Sequence, residues 1–296
     1  MGRSAEALRD QGLGFPAEDA VAPDEVVRVM DRVHTLDVAA FEPSFLVRTL
    51  ERRAQATGSV SALDYLTQRL VQDHAEATAF HRSLRVSYTS FFRDPFTFAL
   101  LESRVIRDLM ADTTRPNRGA LRVWSAGCAT GQEAWSMAIL LDELASSPEQ
   151  HRAWRIFGTD LSESDLAVAN SGVYSAEEVS NVRLRHLNAC FTRQGTAFAV
   201  ATRLREHVGF APYDLLDATT TCPPASIFGG FDLVLCCNVL LYYHRAQQSL
   251  ILDKLVGCLV PGGYLVVGET ERQIAQTSAR IAEVPAQAPT YRVRKR

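Results

Sequence analysis

Lysine is almost absent from this chain. Lys254 and Lys295 are the only two in 296 residues, so arginine carries nearly all of the positive charge. The formal net charge is −3, which is not the basic surplus of a nucleic-acid binder. No apolar run approaches the roughly 18 residues of a membrane span. The opening stretch MGRSAEALRDQGLGF lacks the apolar core of a signal peptide. Gly2 follows Met1, but Ala5 and Glu6 do not supply the hydroxyl of a myristoylation signal. The cysteines (Cys128, Cys190, Cys222, Cys236, Cys237 and Cys258) form no C-x-x-C pair, and no histidine stands at zinc spacing. They read as reduced thiols of a cytoplasmic protein with no metal site. Internal repeats and low-complexity segments are also missing.

What is present divides into two characters. Residues 1–24 are polar and read as a loose tail. The stretches DEVVRVMDRVHTL, PSFLVRTLERRAQATG, SALDYLTQRLVQD and AEATAFHRSL then carry apolar residues at three- and four-residue spacing, with Gly58 and Ser61 as punctuation. These predict a small all-helical domain over residues 25–90. PFTFALLESRVIRDLMAD adds a helix, and TTRPNRGA (113–120) closes a linking segment over residues 91–120.

After it, strands and helices alternate. LRVWSAG, WRIFGTD, FDLVLCCNVLLYY and YLVVGE read as strands, with EAWSMAILLDELASS, SESDLAVANSG and RAQQSLILDKLVGCL as helices between them. That order predicts an α/β domain over residues 121–296 with a parallel, right-handed sheet. Between about Val173 and Tyr213 the alternation breaks, and short β-like segments predict a small antiparallel insert.

In such sheets ligands bind beyond the carboxyl ends of the strands. After the first strand, AGCATGQEAW offers Gly127 and Gly131 for a tight turn with close backbone approach, or simply for a strand-to-helix connection. After the second stands Asp160, placed either to accept from ribose hydroxyls or to cap the helix near Ser162. After the third come Asn238, Tyr242 and Tyr243; buried tyrosines there suit packing as well as chemistry. No phosphate-binding lysine follows the glycine turn, which argues against phosphoryl transfer. The missing dinucleotide glycine pattern argues against hydride transfer.

The glycine turn, the acid after the second strand and the PGG turn together resemble the S-adenosylmethionine-dependent methyltransferase fold, Rossmann-like, whose last strand is antiparallel. The motifs SYTSFFRDPFTF, RVWSAGCATGQEAWSMAILL, GTDLSESDLAVANSGVY, FAPYDLLD and FDLVLCCNVLLYY resemble, in order and spacing, the chemotaxis receptor glutamate methyltransferases of the CheR type. That resemblance covers nearly the whole chain from about residue 25. It implies a cytoplasmic, monomeric bacterial transferase that esterifies glutamate side chains of a chemoreceptor cytoplasmic domain. Its methyl donor is S-adenosyl-L-methionine and its product S-adenosyl-L-homocysteine.

The resemblance also implies roles. Arg93 orients the acceptor carboxylate, with Thr89 and Ser87 on the same cofactor-contacting segment and Phe91 and Phe92 helping to exclude water. Glu133 holds the methionine ammonium and Asp160 the ribose. Asp214 and Leu215 lie beside the adenine, where the family has Asn-Leu. Asn238 and Tyr242 match a strand-end Asn and a Tyr whose hydroxyl lies near the transferring methyl. Two further positions depart from the family: Cys237 stands where Arg is usual, and Ser87 where Asn is usual. Arg48, Arg52 and Arg53 offer a basic helix face for docking. However, residues 1–95 hold 14 acidic and 11 basic side chains. The alternatives are therefore the same chemistry on another acceptor, a small molecule or other protein, or a non-catalytic cofactor-binding regulator.

Overall fold

The computed structural model describes residues 21–111, 119–145, 153–223, 226, 230–285 and 288–294. Of the tail expected over 1–24, residues 1–20 lie outside the described residues, as do residues 113–118 of the TTRPNRGA linker. The chain forms two compact units. One runs up to Val86 and also takes in Leu241–Gln247; the other comprises Ser87–Leu240 and Gln248–Arg296.

The first unit is helical, as the spacing predicts. Pro23–His34 opens with a proline in its first turn and closes with Thr35 left-handed at φ 56°. Pro43–Thr57 is capped by Glu42, whose carboxylate accepts from Phe45 N, and ends at Gly58 with φ 71°. Ser61 caps the short Ala62–Asp64 helix, which loosens into a π-helical turn, Tyr65–Leu70. Asp73 then caps His74–Ser83. Val26, Val29, Met30, Leu46, Leu50, Tyr65 and Phe80 form the core. The segment returning at Leu241–Gln247 belongs here. Glu42 N donates to Tyr242 O at 2.9 Å, His244 N to Ala40 O at 2.8 Å, and Phe41 stacks on Tyr243.

The second unit is built on a sheet. Its strands are β1 (Leu121–Ala126), β2 (Trp154–Asp160), β6 (Val208–Pro212), β7 (Phe231–Cys236), β8 (Leu259–Val267), β9 (Ile281–Glu283) and β10 (Thr290–Val293). Their order is β6-β2-β1-β7-β8-β10-β9. All neighbours from β6 to β8 pair in parallel, and β10 pairs antiparallel with both β8 and β9. The last strand in the chain is thus the antiparallel one. Central β1 and β7 have a strand on each side and are buried along nearly their whole length, which is why they read as largely apolar runs. The exception inside β7 is Asp232. Its carboxylate accepts from Arg122 N at 2.8 Å and so ties β7 to the start of β1.

Two expectations need correction. FDLVLCCNVLLYY is a strand only to Cys236; Asn238 takes a left-handed φ of 60° and Leu240–Tyr242 is a 3₁₀ turn. The insert is smaller than 173–213. It is the three-stranded antiparallel sheet β3-β5-β4, made of β3 (Val173–Ser175), β4 (Phe191–Gln194) and β5 (Ala197–Val200). The segment VGFAP near its end is β6, which pairs with β2 in the main sheet. Among the described residues no helix is long and apolar enough to cross a membrane, and no group of three or more metal-binding side chains occurs.

Candidate functional site

The register sets which residues share the carboxyl edge of the sheet. Ala126 pairs with Thr159, Asp160 with Pro212, and Ser125 with Leu235. The residues just beyond these pairs are Gly127, Asp214 and the Cys237–Asn238 pair, with Asp160 at the end of β2.

The turn after β1 is shaped by its glycines. Gly127 has φ 72°, and a Cβ there would lie 2.5 Å from Val239 Cγ2. Gly131 has φ 92°, and a Cβ would lie 2.8 Å from that of Ala169. Gly127 N and Cys128 N both donate to Thr159 O, and Ala129 N donates to Asp160 Oδ2 at 2.8 Å. Asp160 Oδ1 accepts from Ser162 N at 2.9 Å. The cap of the helix Glu163–Ser171 is Ser162, which accepts from Asp165 N. Asp160 therefore braces the turn and is not the cap. Each of its oxygens accepts one of these bonds, which leaves further lone pairs.

The helix Gln132–Ala145 starts at the turn and carries Glu133 in its first turn. Ser125 Oγ donates to Glu133 Oε1 at 2.7 Å. Burial pushes this carboxyl above its ordinary value, against the pull of the Ser125 bond and the Arg93 charge. Glu133 lines a cavity of about 220 Å³ with Tyr88, Thr89, Arg93, Asp94, Phe98, Cys237, Asn238, Gly268 and Glu269 among its walls. Burial, and then the Glu133 and Glu271 charges, push the Cys237 thiol well up, so it stays protonated near neutral pH.

Arg93 is held by its own loop. Its Nη1 donates to Tyr88 O at 3.0 Å, and its guanidinium lies 5.0 Å over the Tyr88 ring. Its neighbour Asp94 is engaged as the cap of Pro95–Leu100, accepting from Phe96 N, Thr97 N and Thr97 Oγ1. Phe91 is fully buried, edge-on to Tyr174 and Phe191. Phe92 sits at φ 51°, donates its N–H to Ser136 Oγ, and stacks on His186. Neither ring lines the cavity that holds Glu133; these aromatics anchor the loop that presents Arg93.

The sequence-derived residues therefore separate. The cavity brings together Thr89, Arg93, Glu133, Cys237 and Asn238. Gly127 and Asp160 shape the adjoining turn. Ser87 Oγ donates to Asp165 Oδ2 at 2.5 Å, fastening its segment to the Glu163–Ser171 helix. Asp214 Oδ1 accepts from Leu216 N in a turn, and Leu215 is buried. Tyr242 lies in the helical unit, its ring 4.9 Å from that of Phe45. Sequence reasoning missed Ser125, Gly268, Glu269 and Glu271. The last three come directly after β8. The rule that ligands gather past the carboxyl ends of parallel strands applies to that strand too, and it points to the acids in GETE.

Sheet order, glycine turn and cavity together define a Rossmann-like α/β unit with a cavity at the carboxyl edge, where such sheets bind their ligands. The chain belongs to the CheR methyltransferase family, whose SAM-binding domain its residues 87–288 match. It is 35% identical over 229 residues to a chemotaxis protein methyltransferase of Escherichia coli K12, covering 75% of this chain and 74% of that protein. It is 31% identical over 274 residues to an uncharacterized 104.1 kDa protein of Rhodobacter capsulatus; the match takes in 91% of this chain but spans only 28% of that larger protein. The N-methyltransferase NodS of Bradyrhizobium japonicum, solved with S-adenosyl-L-homocysteine, aligns with a TM-score of 0.37 at 17% identity, over 72% of this chain and 97% of that one. The cofactor of the family is S-adenosylmethionine. The edge suits its ammonium and hydroxyl groups, because the carboxylates of Glu133, Asp160 and Asp214 keep acceptor capacity beyond the bonds described.

Proposed function

We propose that this chain methylates glutamate carboxylates of chemotaxis receptors. The observation that carries the reading is the wall of the cavity. Among the described residues lining it, Arg93 is the cation, no histidine is present, and the carboxylates are engaged: Asp94 caps Pro95–Leu100, Glu133 accepts from Ser125, and Glu269 pairs with Arg272. A carboxylate acceptor is ionised near neutral pH and needs no general base, whereas a hydroxyl or amine acceptor needs one. His244, the nearest candidate in sequence, has its Nδ1 facing Ala246 N at 3.4 Å within the helical unit. Support for a chemotaxis setting comes from the Escherichia coli relative, a chemotaxis protein methyltransferase.

The cofactor supplies an electrophilic methyl group on a sulfonium. The chain's own groups then bind the cofactor and place the acceptor. Glu133 pairs with the ammonium, Asp160 accepts from the ribose hydroxyls, and Asp214 and Leu215 flank the adenine. Gly127, Ser87, Thr89, Cys237 and Asn238 complete the cofactor's surroundings. Arg93 orients the anionic acceptor in line with the methyl group and, with the loop that carries it, strips water from that anion. Tyr242 is assigned the positioning hydroxyl on the resemblance of FDLVLCCNVLLYY alone. Docking on a receptor through Arg48, Arg52 and Arg53 has narrower support, because Arg53 is already bound to Glu76.

The test uses methyl-labelled S-adenosylmethionine and a receptor cytoplasmic fragment with Glu at its methylation sites, with a Gln version as control. Base-labile label released as methanol from the Glu fragment alone is the expected result. No label, in protein shown by calorimetry to bind S-adenosyl-L-homocysteine, rejects the receptor as acceptor. A second reading, the same chemistry on another acceptor, is favoured by Cys237 on the cavity wall. Cys237→Arg separates the two: a large gain in receptor methylation marks a weakened receptor enzyme, and no gain marks a site reshaped for something else.

A further inference from the structure

Glu271 is fully buried and lies in the short turn after β8. Its Oε2 accepts from Asn238 N at 2.8 Å and from Gly268 N at 2.7 Å, and its Oε1 accepts from Val239 N at 2.7 Å. These three amides lie just past the ends of β7 and β8, where the ladder that paired Cys236 with Val267 has stopped. Without an acceptor the buried Gly268 N–H would be left unpaired at about 1–3 kcal/mol, and the half-buried N–H groups of Asn238 and Val239 at less. One carboxylate therefore staples the ends of two neighbouring strands.

What the staple fixes is the direction of the cavity wall. Asn238 is left-handed at φ 60°, a conformation that costs a non-glycine residue about 1–2 kcal/mol and that Asn tolerates better than most. Two bonds from Glu271, to its own N–H and to the next one, hold that conformation, and Asn238 lines the cavity. There is no slack on the other side. A Cβ at Gly268 would lie 2.8 Å from Glu271 Oε2 and 3.0 Å from Asn238 N.

We propose that Glu271 is a positioning residue for cofactor binding: it holds the backbone after β7 so that Asn238 reaches the cofactor. The inference rests on the cofactor-contacting role given to Asn238 above. Its substitution by Gln replaces one acceptor oxygen with an N–H₂ group that faces an N–H.

The experiment is a double-mutant cycle read by calorimetry with S-adenosyl-L-homocysteine, on the full chain, for wild type, Glu271→Gln, Asn238→Ala and the double variant. Melting without ligand checks that each is folded. Each single change is expected to weaken binding by about 10-fold, which is about 1.4 kcal/mol. The double variant is expected to be no more than about threefold worse than either single one, because Asn238 no longer reaches its target once Glu271 is lost. Losses that multiply to about 100-fold, or a Glu271→Gln protein that binds like wild type, overturn the proposal. A purely structural Glu271 would lower the melting temperature and leave the cycle additive. If Glu271→Gln does not fold, Glu271→Asp, one methylene shorter with the charge kept, is put through the same cycle, and the same outcomes support or overturn the proposal. Failure of wild type itself to bind would count against the cofactor site as a whole, and so is distinguishable from failure of this inference.

Discussion

On the proposed assignment, Glu133 is a residue whose folding and binding interests conflict. Its carboxyl is raised by burial, so the folded chain holds its proton more tightly than the unfolded chain does. Between those two values the native state binds more protons, and stability from this group rises as pH falls. Cofactor binding runs the other way, because an ammonium wants the ionised form. Affinity for S-adenosyl-L-homocysteine is therefore expected to fall as pH drops through the raised value, which lies above 4.5. Calorimetry in buffers of different ionisation enthalpy checks this as proton release on binding. Glu133→Gln is expected to raise the ligand-free melting temperature at neutral pH, because it removes a carboxylate whose charge burial disfavours. The same change should weaken the ligand at least about 10-fold. Arg93→Met separates binding from transfer. The kcat/KM for the acceptor is expected to fall about 100-fold, while the affinity for S-adenosyl-L-homocysteine falls no more than about 10-fold. Equal losses in both would mean that Arg93 serves the cofactor and not the acceptor.

At the scale of elements, the turn after β1 is a tight join in the second unit. Gly131 at φ 92° abuts the Glu163–Ser171 helix, so an added methyl meets both backbone strain and the Ala169 side chain. Gly131→Ala is expected to cost about 2–4 kcal/mol in denaturant unfolding, with the midpoint lowered and the slope unchanged. An unchanged midpoint would show that the turn can relax. Elements of this kind are readable in the sequence because their signals are local. WRIFGTD is β2 to the residue, and the helix end at Gly58 and the cap at Ser61 stand where the punctuation puts them. Features held by backbone atoms are not readable in this way. Glu271 binds three amides just past the ends of two strands, and nothing in the letters GETE distinguishes it from the exposed Glu269 two positions earlier. VGFAP reads as part of the insert for the same reason: its partner, β2, lies about 50 residues back, and a short strand carries no mark of which sheet it joins.

At the scale of the whole molecule, the sequence separates a helical stretch over residues 25–90 from an α/β stretch over 121–296; in the structure the helical unit runs up to Val86, and the division is not a single cut. Leu241–Gln247 belongs with the helices, and Tyr242, read from the sequence as a site residue, packs there against Phe45. A fragment ending at Val86 lacks the bonds from Glu42 to Tyr242 and from His244 to Ala40, and the ring beneath Phe41. It is expected to show helical circular dichroism but a broad, low melting transition, which a peptide covering 241–247 sharpens. A sharp transition in the fragment alone would show that the returning segment is dispensable. The same connectivity has a consequence in time. A ribosome releases the helices long before it reaches Gln247, on the order of 160 residues later, or roughly 10–30 s at bacterial speeds. For that interval the nascent helical unit lacks one of its walls, so its final closure waits on the synthesis of most of the α/β unit, and premature termination yields a product that neither unit can complete.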